Sequence, residues 1–177
     1  VSVIATCSGI AISKAGYENF YEEDFDAVST VQDIKVKLQE ALKEMLLIVE
    51  STEPQDYTTR SQLIDQNIAD IRASVDRLCS EYSGDTTLLK QFETLMTNNG
   101  KVRERVMEQA ALSTDEGNAA AREIIHNEYI PVVEEYTAIL NQAYTEIGSN
   151  CQKNFEEQMM LLNGLLAAGI VIAAAAF

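Results

Sequence analysis

Tryptophan is absent from the 177 residues, histidine occurs once, proline twice and cysteine three times. The cysteines, Cys7, Cys79 and Cys151, form no Cys-x-x-Cys pair and keep no regular spacing, which excludes a disulfide framework and a zinc site. A di-iron carboxylate bundle takes a Glu-x-x-His motif from each of two helices. Glu123-Ile124-Ile125-His126 is one such motif, but with a single histidine the second cannot be made in one subunit. No Cys-x-x-Cys-His is present to attach haem. Neither a Gly-rich phosphate loop nor a nucleophile triad can be assembled, since there is no Gly-rich turn, no second histidine and no strand to carry one. No cofactor and no enzymatic activity are implied.

Positive charge is also scarce. Thirteen basic residues face 28 acidic ones, a net charge of −15. Nucleic acid and anionic lipid surfaces need clustered Lys and Arg, so neither is an expected partner.

What the sequence has is helical periodicity. The first helix carries Val31, Ile34, Leu38, Ala41, Met45 and Ile48 at spacings of three and four, and is expected to close at Glu53-Pro54. Its end, Met45-Leu46-Leu47-Ile48-Val49, is apolar on every face, so a second surface there is expected to be covered by a partner subunit or an overlying loop. A second helix starts near Thr58 or Thr59 and carries Ile64, Ile68, Ile71, Val75, Leu78 and Tyr82. Ser83-Gly84-Asp85 supplies the next turn, with Gly84 as the residue after the helix and Asp85 as the following N-cap. A third helix carries Leu88, Phe92, Leu95, Asn99, Val102, Val106 and Ala110, continuing through Asn99-Gly100 because the stripe keeps its register. Ser113-Thr114-Asp115-Glu116 restarts a fourth, with Asn118, Arg122, Ile125, Tyr129, Val132, Tyr136, Ile139 and Ala143 on one seam and a bend at Pro131.

The two ends differ from this pattern. Residues 159–177, MMLLNGLLAAGIVIAAAAF, carry no charge and approach the roughly 20 residues that span a bilayer. Residues 1–13 are also uncharged and largely apolar, too short to span, but fit the outer end of a transmembrane helix that starts before Val1. The expected architecture is all-α: an antiparallel up-down-up-down four-helix bundle whose first and last helices extend as a stalk into transmembrane segments. The expected domains are residues 1–13 as the end of a first transmembrane helix, 14–158 as an extracytoplasmic bundle, and 159–177 as a second transmembrane helix.

The stretches YEEDFDAVSTVQDIKVKLQEALKEML, LLKQFETLMTNNGKVRERVMEQA and AAREIIHNEYIPVVEEYTAILNQAYTEI resemble the four-helix-bundle sensor domain of methyl-accepting chemotaxis receptors. The resemblance implies a homodimer whose first helices pair, a small-molecule ligand bound far from the membrane, and a small displacement of the fourth helix read by a cytoplasmic module. Some histidine kinases and cyclic-dinucleotide enzymes carry the same domain, and a non-sensing helical spacer is the alternative. The first helix lacks the arginine cluster of the aspartate- and serine-sensing receptors, which argues against amino-acid binding by their mode.

Arg122 is the candidate ligand contact, because a guanidinium on a seam must be paired, hydrated or aimed at something. Counting along antiparallel helices puts it near Lys43 and Glu44. One reading has it bonded to Glu44 or Glu40. The other has Arg122, with Lys43 and His126, receiving a small carboxylate or other small anion. The same count separates Cys79 from Cys151 by far more than a disulfide can bridge and makes Cys79 a small buried hydrophobe.

Overall fold

The computed structural model describes the backbone of residues 20–175 and the side chains of residues 23–168. Residues 1–13, expected to end a transmembrane helix, lie outside the described residues, as do the side chains that complete the 159–177 run. Among the described residues every regular element is helical. A π-helical stretch, Phe20–Phe25, leads into α1, Asp26–Ile48. There follow α2, Pro54–Glu81; α3, Thr87–Asn98; α4, Gly100–Ala110; and α5, Asp115–Ile124. A second π-helical stretch, Ile125–Tyr129, joins α5 to α6, Ile130–Ala175. Among the described residues no helix is long and apolar enough to cross a membrane.

Contacts divide the chain into two units, one of Thr30–Tyr144 and one of the residues before and after it. In the first, all six expected core residues of α1, from Val31 to Ile48, are buried, as are Ile64, Ile68, Ile71, Val75 and Leu78 of α2. Three bonds join these helices: Arg77 to Thr30 at 2.7 Å, Lys37 to Asp70 at 2.7 Å and Arg60 to Glu44 at 2.6 Å. The partners rise along α1 as they fall along α2, so the pair is antiparallel. At the end of α1, Met45, Ile48 and Val49 are buried within the chain, while Leu46 stays 37% exposed.

Several local expectations are corrected. Glu53 is extended, as a residue before proline should be, but Pro54 opens α2 rather than preceding it by several residues. The first helical position has no use for an N–H, and proline's fixed φ suits it. Thr58 and Thr59 lie inside the helix, with hydroxyls bonded to the carbonyls of Pro54 and Gln55. Gly84 has no positive φ; it is small because a Cβ there would lie 2.5 Å from the Tyr82 ring. The N-cap of α3 is Thr86, although Asp85 accepts the Thr87 N–H at 2.8 Å and so does a cap's work one residue early.

The third predicted helix is divided at Asn99 into α3 and α4. Its core residues are Leu89, Phe92 and Met96, then Val106 and Ala110, with Leu88, Leu95 and Val102 only half-buried. Pro131 does not end the fourth predicted helix. The wide turn at Ile125–Tyr129 lies directly upstream of it, where the proline ring would otherwise meet the carbonyl four residues back. Just beyond it Val133 is buried and Val132 half-exposed, while the expected seam residues Tyr136, Ile139 and Ala143 are buried.

In the other unit the Asn154 amide donates to the buried Asp24 carboxylate at 2.7 Å. From Met159 to Ala168 every residue is exposed.

Candidate functional site

The expected restart at Thr114 is present: Ser113 takes φ 50°, and Thr114 accepts the Gly117 N–H at 3.1 Å as the N-cap of α5. Gly117 is required because a Cβ would lie 2.6 Å from the Gln109 carbonyl. That close approach presses the start of α5 against α4 and fixes where Asn118 and Arg122 stand.

Both reach the end of α1. The last carbonyls of a helix have no partner within it. The Arg122 guanidinium donates to the Val49 carbonyl at 2.7 Å, with its Nε 3.4 Å from Glu50. The Asn118 amide donates to the Ser51 carbonyl at 2.8 Å, while its buried Oδ1 has no partner. The expected pairing of Arg122 with Glu44 or Glu40 is therefore corrected to Val49 and Glu50. The start of α5 stands level with the turn after α1, not with the body of that helix. Nor is Arg122 a seam residue; its side chain is 45% exposed and Ala121 is the buried neighbour.

Lys43 is 70% exposed and 3.9 Å from Glu44, whose carboxylate Arg60 holds at 2.6 Å. His126 is exposed in the wide turn. Among the described residues no hydrogen bond or ion pair joins any two of Arg122, Lys43 and His126.

A surface cleft of about 570 Å³ lies between α4 and the segment 120–128, lined by Arg105, Glu108, Gln109, Glu123, Asn127 and Glu128 with Ala120 and Ile124. Arg105 grips Glu128 there with two bonds, 2.6 and 3.0 Å. Glu123, from the Glu-x-x-His motif, faces this cleft, and among the described residues no group of three or more His, Cys, Asp or Glu could hold a metal ion.

The polar positions overlooked in the sequence lie where Asn99 interrupts the third helix. The Tyr136 hydroxyl donates to the Leu95 carbonyl at 3.2 Å and is hydrogen-bonded by the Asn99 side chain, and its ring meets Phe92 edge-on at 5.5 Å. Burial pushes the Tyr129 and Tyr136 hydroxyls up to about 12, with the Arg103 charge opposing the rise at both. The sequence carried one sign of this cluster: Asn99 on an otherwise apolar stripe.

Cys79 and Cys151 are both free and half-buried rather than buried, and burial raises both thiols. No known family model, curated protein or solved structure matches the chain.

Proposed function

We propose that the chain is the extracytoplasmic ligand-sensing domain of a bacterial transmembrane receptor of the chemotaxis type. In it α1, α2, the α3–α4 pair and the helix from Asp115 onward form an antiparallel four-helix bundle. Ligand binding biases the last helix, which relays the change through a membrane segment to a cytoplasmic module. One observation carries this reading. A helix without interruption from Ile130 to Ala175 passes from a face with buried Tyr136, Leu140 and Ala143 to exposed Met160, Leu161, Leu165 and Leu166. A helix that is apolar all round is stable in lipid or buried by partners, not in water.

A homodimer through α1 uses Val36 and Leu46, which leave apolar surface exposed. Arg122, Lys43 and His126 are the proposed ligand contacts. All three are exposed, and a small anion would compete with Glu50 for the guanidinium. The test is flotation of the full chain with phosphatidylcholine vesicles, beside a chain ending at residue 158. The full chain should float and the shortened one remain in solution. If the full chain stays in the aqueous phase as a monodisperse species, the receptor reading is wrong.

A further inference from the structure

Asparagine followed by glycine occurs twice in the chain, at Asn99-Gly100 and at Asn163-Gly164. In such a pair the glycine nitrogen can attack the asparagine side-chain carbonyl, because glycine has no Cβ to block the approach. The attack requires that nitrogen to swing toward the side chain. A regular helix forbids the swing, since its backbone bonds would have to break. The two glycines are equally open: a Cβ at either would meet nothing within 4 Å. The backbone is what separates them. Asn163 lies inside α6, which is continuous from Ile130 to Ala175. Asn99 lies between α3 and α4 with φ −94° and ψ 2°, outside the helical region. The turn after it is closed by a short-range bond, from the Val102 N–H to the Asn99 carbonyl at 3.1 Å. Asn99 and Gly100 are only half-buried, so water reaches them.

We infer that Asn99 is a site of spontaneous deamidation in the folded chain, and that the helix around Asn163 protects the second pair. The Gly100 nitrogen bonds to the Asn99 Cγ, the Cγ–Nδ2 bond breaks, and the displaced proton leaves with the ammonia. The product is a cyclic succinimide. Water then opens the ring at one of its carbonyls, giving aspartate or, with the chain rerouted through the side chain, isoaspartate. Water is the co-reactant, and nothing is oxidised or reduced. The aspartate product puts its charge in a place suited to it. Position 99 is the N-cap of α4, and the amide makes no capping bond. A carboxylate there can accept from the helix's first N–H groups and faces their positive end. Arg103 stands one turn on, at the spacing at which opposite charges meet. What is lost is the amide's donation to the Tyr136 hydroxyl, which an ionised carboxylate cannot make. Isoaspartate lengthens the backbone at the point where the third predicted helix is already interrupted. The inference rests on that interruption and holds whether or not the chain is a receptor.

The experiment is incubation of the folded full chain in mild detergent at mildly alkaline pH, well below its melting midpoint. Trypsin then releases peptides 91–101 and 154–177, after Lys90 and Lys153, for fragment-ion mass spectrometry. Deamidation adds about 1 Da, and fragment ions separate Asn99 from Asn98. The gain should accumulate at Asn99, part of it as isoaspartate, roughly tenfold faster than at Asn163 or more. Gly100→Ala places a methyl group where the fold has room, and should slow the gain roughly tenfold. Asn99→Asp, which makes the aspartate product directly, should melt within about 3 °C of the parent. No gain at Asn99 overturns the site, and so does an undiminished gain in Gly100→Ala. Equal rates at Asn99 and Asn163 also overturn it, because the reaction would then belong to the unfolded chain. A larger loss in Asn99→Asp overturns the fit of the product to the N-cap.

Discussion

Asn118 and Arg122 bond neighbouring carbonyls, yet they should respond differently to truncation. Asn118 is buried, so Asn118→Ala removes the bond to the half-buried Ser51 carbonyl and leaves a small void, and should cost about 2 kcal/mol in chemical denaturation. Arg122 is nearly half exposed, water can replace it at Val49, and Arg122→Ala should cost roughly 1 kcal/mol. Equal losses would show that the exposed arginine is held as firmly as the buried amide. The two buried tyrosines give a pH dependence. Their hydroxyls lose protons near pH 10 when unfolded and about 12 when folded, so the folded chain binds more protons between those values. Their contribution, roughly 2–3 kcal/mol each, is complete below pH 10 and lost as pH rises toward 12. Tyr129→Phe should remove part of that slope, measured as denaturation midpoint against pH. Core residues of α1 and α2 were legible from spacing alone, because an apolar side chain announces its own burial. Where two apolar residues adjoin, as Leu88-Leu89, Leu95-Met96 and Val132-Val133 do, spacing chose the half-buried one. Partners of polar residues were not, because an arginine's reach covers more than one turn and the target carbonyls carry no side-chain signature.

The described glycines divide into Gly84 and Gly117, where an added Cβ meets a neighbour, and Gly100, Gly148 and Gly164, where it meets nothing. At Gly117 a Cβ meets the Gln109 backbone, which cannot rotate aside, so Gly117→Ala should destabilise by about 1–3 kcal/mol. At Gly100 nothing lies within 4 Å and φ is not positive, so Gly100→Ala should stabilise by about 0.4–1 kcal/mol. Thermal melts of the pair check both signs, and a loss at Gly100 would mean that the interruption at Asn99 needs a bare backbone. Helix existence was legible throughout; two of the boundaries were not. Pro54 reads both as the stop of one helix and the start of the next, and only the extended Glu53 beside it decides. The interruption at Asn99 was hidden because apolar residues continue at helical spacing across it. A one-residue turn leaves that spacing almost unchanged.

For the whole chain, the contrast between an acidic body and uncharged ends was plain from composition, and the exposed run from Met159 to Ala168 agrees with it. A ligand leaves no such compositional mark, since a small molecule is recognised by a few side chains brought together from separate helices. Screening amino acids, organic acids and nucleobases by thermal shift should yield at least one saturable stabilisation of the full chain. If none stabilises, the reading as a non-sensing spacer is favoured.

The wide turn at Ile125–Tyr129 has a bearing on chain length. It amounts to one residue inserted into an otherwise α-helical path. Removing Asn127 while replacing Pro131 with alanine would delete that insertion and leave the helices on either side facing as before. Removing Gln142 instead would turn everything after it through about 100° and carry Ala143 off the buried face. A homologue that lacks the wide turn should accordingly be one residue shorter within 125–129, and should lack the proline that follows it.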